Sequence, residues 1–567
     1  MNSAWWLNTL WMERCRGEAR AFRRATAAVA ATQARVLNAI LRRNRETEFG
    51  RHHGFAAIRG PDEYRQRVPL SNHDDYVPDI SQIADGERNV LTRDPVRLLE
   101  PTSGSTSGEK LIPYTASLRR EFQRGVAAWV FDLMRHRPAV RAGRAYWSIS
   151  PALGQSRRTP GGIPIGFDSD AAYLGRLERL AVERLLVVPA AVSRIGDIES
   201  FRYATLLHLL AAADLALISV WSPTFLTALF ASLDEWGERL ADDLRRGMLR
   251  PPTASALPSI DVRPPRISAR RAERVASILR SADSVDVKLH AIWPDLSLIS
   301  CWTDAAAAGY VGGLRKLFPS VEIQPKGLLA TEGCVSLPML GRPAPLLAVR
   351  SHFFEFEECA AAGEAIDGGS VRQAHELQAG SRYSVVLTTG GGLYRYRLHD
   401  LVEVIGFENE CPLLRFVGRS SGTSDLVGEK LSEIHVREVL DRVFAARGLT
   451  PGFALLVPIL ERPPRYRLYL QCDAAQVPSF AAEELAAAVQ TGLEENPHYG
   501  HAVRLRQLGR CEVHMLDPAG ESAWRIHECR LLERGRKAGD IKPAALDPND
   551  DWASVFAPLV IDPRHSE

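Results

Sequence analysis

The spacing of hydrophobic and polar residues predicts both helices and strands. Residues 17–46 repeat alanine, leucine and arginine with a helical period, and another helix is predicted to begin with Ser222 as its cap and Pro223 in its first turn. Short apolar or alternating runs predict strands at 145–150, 215–220, 298–302, 327–331, 346–356, 383–389 and 393–405. Because helices separate the strands in the first half of the chain, we predict an α/β fold with helix-covered sheets.

The pattern changes after Gly418. The polar stretch 420–424 predicts a hinge. Beyond it the spacing predicts a helix at 432–447, strands at 453–457 and 465–471, a helix at 478–494 and a strand at 505–515. We therefore predict a large N-terminal domain over 1–422 and a smaller, mobile α+β domain over 423–567.

Composition narrows the class of protein. A chain of 567 residues with 46% hydrophobic and 24% charged residues is long enough for two or more cores. The net charge of +2 gives no reason to expect nucleic-acid binding, and no run reaches the roughly 18 apolar residues of a membrane span. The Trp-rich start, 1–12, is followed by its positive charges, the wrong order for a signal peptide. Eight cysteines without a Cys-x-x-Cys pair indicate neither a zinc site nor a disulfide framework, so we expect a cytoplasmic protein. We also expect a monomer whose partners are small molecules.

Residues 101–113 form a segment suited to a polyphosphate. Its two glycines let the backbone approach an anion, and Ser105, Thr106 and Ser107 offer hydroxyls and successive N–H groups. Lys110 adds a positive charge in a chain where lysine is scarce. The spacing is not that of a P-loop, and a flexible Ser/Gly linker is the alternative interpretation.

Two further segments carry candidate chemistry. Thr331 and Glu332 follow the apolar run 327–331, and a carboxylate at the end of a strand can ligate Mg²⁺; the alternative is a helix cap. In the segment 394–400, alternation places Tyr394, Tyr396, Leu398 and Asp400 on one face and the two arginines and His399 on the other. Asp400 could accept both ribose hydroxyls, whereas a surface ladder of ion pairs is the alternative. His399 is expected to be structural.

Taken in this order, the three segments resemble the phosphate loop, the Thr/Ser-Glu motif and the ribose-binding Asp of the adenylate-forming superfamily. The narrower resemblance is to the auxin-responsive Gretchen Hagen family of acyl-acid amido synthetases, in a bacterial-type version. It is carried by residues 36–54, 68–70, 79–80, 103–113, 159–164, 293–294, 353–357, 394–407 and 416–419.

The resemblance implies a role for individual residues. Ser105, Thr106 and Ser107 would hold the ATP phosphates, Thr331 and Glu332 the α-phosphate region and Mg²⁺, and Asp400 the ribose. Phe416 and Arg419 would lie at the nucleotide and the hinge. Lys430 and Glu433 match a charged pair of the family, and Lys542 resembles the lysine that moves in to stabilise charge during adenylation.

The resemblance also implies a reaction. A carboxylic acid would attack the α-phosphate of ATP, and an amine, which we expect to be an amino acid, would then take the acyl group from the adenylate. Two alternatives remain open: a thioester-forming acyl-CoA ligase, which shares the first step, and a nucleotide-binding regulator without catalysis. The identities of the acid and of the amine do not follow from the sequence.

Overall fold

The computed structural model describes residues 3–102, 110–147, 157–166, 184–253, 262–359, 370–419, 423–473, 482–520, 522–534, 536, 541–549 and 551–561. The α-helices in these ranges span Ser3–Ala25, Val29–Asn44, Glu48–His52, Pro61–Arg67, Val77–Ala84, Ala116–His136, Pro138–Ala142, Ile198–Ala211, Pro223–Arg246, Ala269–Leu279, Val285–Ile292, Ala308–Leu317, Glu433–Ala445, Ala482–Leu493, Pro497–Arg504, Ala523–Glu533 and Trp552–Phe556. None of these helices is long and apolar enough to cross a bilayer.

The strands alternate with these helices in the first half of the chain, as predicted. They are β1 (Leu98–Thr102), β2 (Lys110–Tyr114), β3 (Arg144–Trp147), β4 (Arg157–Arg158), β5 (Pro164–Ile165), β6 (Leu215–Ser219), β7 (Leu298–Cys301), β8 (Glu322–Pro325), β9 (Ser336–Leu337), β10 (Leu346–Leu347), β11 (Phe353–Glu358), β12 (Val371–Gln373), β13 (Arg382–Thr388), β14 (Tyr396–Glu408), β15 (Cys411–Arg419), β16 (Thr423–Ser424), β17 (Leu431–Ser432), β18 (Phe453–Ile459), β19 (Arg465–Gln471) and β20 (Glu512–Met515).

A parallel sheet and an antiparallel sheet organise the N-terminal part. The parallel sheet has the order β3-β6-β7-β8, and helices link its successive strands. One of these helices begins as predicted: the Ser222 hydroxyl accepts the N–H of Thr224, and Pro223 lies in the first turn. The antiparallel sheet has the order β12-β11-β13-β14-β15-β10-β9, and a smaller sheet joins β2, β1, β5 and β4. The predicted class, α/β with helix-covered sheets, is confirmed.

The predicted helix at 17–46 is two helices. The first begins at Ser3 and ends at Ala25, so it also contains the Trp-rich start of the chain. Residues distant in sequence stabilise the break between the two helices. Asn409 donates to the Thr26 hydroxyl (2.9 Å), and Glu410 accepts the N–H of Val29 (2.9 Å). A contact with the distant turn between β14 and β15 therefore sets a boundary that local periodicity does not reveal.

The C-terminal elements have cores of their own. β18, β19 and β20 form a sheet, and the buried residues around it all come from positions after 430. The domain boundary at 422 stays a proposal, since the predicted hinge lies mostly in 420–422, outside the described residues.

Two predictions for this part are corrected. The strand expected at 505–515 is only Glu512–Met515, because the chain turns directly after the helix Pro497–Arg504: the N–H of Gln507 donates to the carbonyl of Ala502 at 3.0 Å, and Arg506 has a φ of +57°. The helix Ala523–Glu533 was not predicted.

Candidate active site

The segment before Glu332 is not a strand, so the prediction at 327–331 is wrong. Leu328 gives its N–H to the side-chain hydroxyl of Ser336 (2.9 Å) and not to a backbone carbonyl, and Leu329 forms only an isolated bridge with Cys334. Gly327 has a φ of +76°, and a Cβ there would lie 2.5 Å from the carbonyl oxygen of Ser336. The chain therefore folds back on itself at the point where its apolar run suggested extension.

Glu332 lies in the tight turn that follows, the Glu332 turn (residues 330–333). Ala330 and Gly333 exchange backbone hydrogen bonds of 3.0 and 3.2 Å, so Thr331 and Glu332 occupy the two central positions. Thr331 is partly exposed, whereas Glu332 is only 5% exposed. The turn thus directs a carboxylate into the interior.

The strand β14 brings Asp400 to the same place. It begins at Tyr396 and not near Leu393, and Tyr396, Leu398 and Asp400 are buried as the alternation predicted. Arg395 is buried as well, which corrects the expectation that both arginines would occupy a different face. Its φ of +49° takes it out of the alternating pattern, and Glu355 binds its guanidinium at 2.9 Å.

Four polar side chains meet between the Glu332 turn and the ends of β14 and β15. Asp400 and Arg419 face each other across the two strands, and Nε of Arg419 donates to Oδ1 of Asp400 at 2.8 Å. The hydroxyl of Tyr396 donates to Oε1 of Glu332 at 3.5 Å. Glu332, Tyr396, Asp400 and Arg419 are hereafter the carboxylate cluster.

Burial shifts the pKa of ionisable groups in and beside this cluster. It raises the pKa of Glu332, and the Asp400 carboxylate raises that pKa further, whereas Arg419 and Lys110 act against the rise. A cation placed beside Glu332 would favour its ionised form for the same Coulombic reason. Burial also lowers the pKa of His399, whose Nε2 lies 3.0 Å from Oδ1 of Asn72.

The predicted phosphate loop joins two paired strands beside this cluster. Ser105, Thr106 and Ser107 belong to residues 103–109, which lie outside the described residues. The two flanks are described: Thr102 of β1 pairs with Lys110 of β2 in an antiparallel register. Because Lys110 acts electrostatically on Glu332, the ends of β1 and β2 that flank residues 103–109 lie near the cluster.

Lys542 and Phe416 both contact residues that directly follow β7. Nζ of Lys542 lies 4.6 Å from the centroid of the Trp302 ring, and the N–H of Phe416 donates to Oδ2 of Asp304 at 3.3 Å. Burial raises the pKa of Asp304. The carboxyl ends of parallel strands are where ligands bind in open α/β sheets. The structure therefore brings the predicted lysine to the sheet edge, although it is distant in sequence.

Lys430 and Glu433 have different surroundings. Lys430 is exposed, with a φ of +44°, and its carbonyl accepts from Nδ2 of Asn496 at 3.3 Å. Glu433 accepts the N–H of Ala545 at 3.3 Å, three residues after Lys542. Of this predicted pair, Glu433 thus contacts the segment that carries Lys542.

Trp302 and Asp304 were not predicted as site residues. Both follow a strand that the hydrophobic pattern had located, so the reasoning applied to Glu332 could have found them.

Comparisons with known proteins agree with this fold. Residues 18–323 match the GH3 family N-terminal domain, and residues 345–419 match the GH3 family central domain. The chain is 25% identical over 530 residues to indole-3-acetic acid-amido synthetase GH3.10 of Arabidopsis thaliana, covering 86% of this chain and 87% of that protein. It is 26% identical over 458 residues to indole-3-acetic acid-amido synthetase GH3.8 of Oryza sativa subsp. indica, covering 74% and 71%.

The solved structure of GH3.15 acyl acid amido synthetase superposes with a TM-score of 0.77 at 20% identity, covering 96% of both chains, and confirms the predicted fold. The N-terminal match alone spans more than half of the 567 residues. The two domain matches and the structural superposition agree with each other along the length of the chain. The chain belongs to the GH3 family.

Proposed function

We propose that this protein is an ATP-dependent acyl-acid amido synthetase. It activates a carboxylic acid as an acyl-adenylate and passes the acyl group to an amine, which we take to be an amino acid. Acyl-acid amido synthesis is also the activity in the names of its relatives and of its structural neighbour. The observation that carries the proposal is the meeting of Glu332, Asp400, Arg419 and Lys110 beside the loop of residues 103–109.

Residues of the loop, of the carboxylate cluster and of the neighbouring segments bind different parts of ATP. Ser105, Thr106 and Ser107 hold the phosphates through hydroxyl and N–H groups, and Asp400, fixed by Arg419, receives the ribose hydroxyls. Thr331 lies beside the α-phosphate. Phe416 borders the nucleotide, and Lys430 contributes charge from the C-terminal part.

Glu332 fits a divalent cation. It is a buried carboxylate whose pKa is raised by burial, so a nearby positive charge would stabilise its ionised form. Mg²⁺ is usually bound by one or two carboxylates together with substrate phosphates. When bound, Mg²⁺ would offset negative charge on the ATP phosphates.

Adenylation needs positive charge at the α-phosphate as the carboxylate of the acid attacks it and pyrophosphate leaves. Lys542 supplies it when the domain over 423–567 closes on the domain over 1–422. The amine then attacks the acyl carbon, and AMP leaves. Charge stabilisation and orientation by the chain's own residues account for the first step without a covalent enzyme intermediate.

The test is ATP–pyrophosphate exchange with Mg²⁺ across a panel of carboxylic acids. We expect acid-dependent exchange, reduced by about 10²-fold or more in Glu332→Ala, the scale of one lost preorganised group. Glu403→Ala is the matched control, because Glu403 lies on the same strand as Asp400 but pairs with the exposed Arg415.

The acceptor is tested separately. An acid that supports exchange should yield an amide with an amino acid from a second panel. Product formed only with coenzyme A would contradict amide synthesis, and ATP binding without exchange for any acid would contradict catalysis.

A further inference from the structure

His352 is a fully buried histidine that contacts the turn carrying Glu332. It lies in the segment between β10 and β11, and its Nε2 is 3.0 Å from the backbone nitrogen of Cys334. Its Nδ1 is 2.9 Å from Oε2 of Glu121, in the helix Ala116–His136. Both ring nitrogens are therefore engaged, one by the chain just after the Glu332 turn and one by a buried carboxylate.

The partners determine the state of the ring. The N–H of Cys334 can only donate, so Nε2 must accept and carries no proton. Nδ1 then carries the proton and donates it to Glu121. The two oxygens of Glu121 also accept the N–H of Gly390 at 3.0 Å each, which suits an ionised carboxylate. The result is a neutral imidazole held in one tautomer.

The imidazole ring of His352 also packs directly against the Glu332 turn. A Cβ at Gly333 would lie 2.9 Å from Nε2 of His352, closer than real side chains approach. A Cβ at Gly125, on the helix of Glu121, would lie 2.6 Å from Sγ of Cys334. The helix, the ring and the turn thus pack closely at these two glycines, and a displaced ring would displace the turn.

Glu121 connects three segments whose relative positions shape the proposed site. Its helix follows β2, the strand that ends the loop of residues 103–109. Through His352 it reaches the Glu332 turn, and through Gly390 it reaches the segment that precedes β14 and Asp400. A buried polar network makes a structure rigid only when each member keeps its hydrogen-bond partners, because an unpaired buried polar group is destabilising.

We propose that His352 and Glu121 are positioning residues, which hold the Glu332 turn in the geometry that binds ATP together with Mg²⁺. This inference rests on the function proposed above. Neither residue touches a reacting group; they act through the N–H of Cys334 and the packing of Gly333. Partners of this kind usually change metal affinity or activity by about 10- to 100-fold when removed.

Two substitutions of His352 separate its two hydrogen bonds. In His352→Asn the amide takes the place of Nδ1, so a donor to Glu121 is retained and the acceptor for Cys334 is lost. In His352→Gln the amide oxygen takes the place of Nε2, so the acceptor for Cys334 is retained. His208→Asn is the matched control, because His208 is a buried histidine in the helix Ile198–Ala211, in a different core.

The measurement is calorimetric binding of ATP with and without Mg²⁺, together with the Mg²⁺ concentration for half-maximal exchange. We expect His352→Asn to reduce the tightening of ATP binding by Mg²⁺ by about 10-fold or more and to raise that concentration similarly. His352→Gln should stay within about 3-fold of wild type, and His208→Asn should leave both quantities unchanged even if it lowers the melting temperature.

An unchanged Mg²⁺ dependence in folded His352→Asn, or an equal change in His352→Gln, would overturn the inference while the proposed function stands. If His352→Asn does not fold, Gly333→Ala provides a second test, because its Cβ would lie 2.9 Å from Nε2 of His352 and would push the turn away from the ring; the same shift is expected from it. Absence of ATP binding by the wild-type protein would overturn the proposed function and this inference with it.

Discussion

At the scale of single residues, Lys542, for which we propose a role in adenylation, contacts an aromatic ring. Its ammonium lies 4.6 Å from the centroid of the Trp302 ring, at the edge of the parallel sheet. A cation–π contact of this kind contributes about 0.5–2 kcal/mol. That is strong enough to keep the lysine near the sheet edge and weak enough to be exchanged for a phosphate.

We expect Lys542→Ala to lower ATP–pyrophosphate exchange by about 10²-fold or more, because the charge that develops at the α-phosphate loses its partner. Exchange is measured at saturating acid and Mg²⁺. Lys316→Ala, which removes an exposed lysine from the helix Ala308–Leu317, should exchange at the wild-type rate. A wild-type rate for Lys542→Ala would show that another group supplies the charge.

At the scale of elements, the beginning of β14 depends on a buried ion pair. Glu355, in β11, binds Nε of Arg395 at 2.9 Å and Nε of Arg65 at 3.2 Å. Arg395 also donates to the carbonyl of Val68 at 2.8 Å. One carboxylate therefore pairs with two arginines where the chain bends into the strand of Asp400.

We expect Glu355→Ala to lower the free energy of unfolding by about 3–5 kcal/mol, because it leaves buried positive charge without a partner. Glu357→Ala is the matched control. Glu357 is on the same strand but pairs with the more exposed Arg397, so its loss should cost below about 1 kcal/mol. Urea unfolding followed by tryptophan fluorescence measures both, and equal losses would refute the distinction.

At the scale of the whole molecule, the helix Ala523–Glu533 attaches the C-terminal part to the N-terminal part. Arg202 and Glu528 form an ion pair in which both side chains are almost fully buried. Arg525 pairs with Glu199 at 3.0 Å nearby, and the rings of Tyr310 and Trp524 lie 5.6 Å apart. The proposed closing motion would have to preserve this contact or break it.

We expect Arg202→Met and Glu528→Leu to destabilise the protein by about 3–5 kcal/mol each, because each leaves one buried charge unpaired. The double variant should lose much less than the sum, because both charges are then absent. A double-mutant cycle from thermal or urea unfolding measures this difference. Additive losses would indicate that the pair does not link the two parts in solution.

Much of the fold and part of the candidate site could be predicted from local sequence. Hydrophobic period located strands such as β6, β13, β14, β18 and β19 but not β1, β2 or β15, and the Ser222–Pro223 signal located a helix start, because both signals depend on neighbouring residues. The family prediction is confirmed, and the predicted Glu332, Asp400 and Arg419 lie together. Roles for Ser105, Thr106, Ser107 and Lys542 stay predictions.

Sequence by itself determined the class of fold, the family and the residue types of the candidate site. Only the tertiary structure decided that Glu332 lies in a turn, that Arg395 is buried against Glu355, and that His352 lies between Glu121 and Cys334. Glu121 and His352 are 231 positions apart. Local periodicity records which side of an element is apolar, whereas the pairing of buried polar groups depends on which elements pack together.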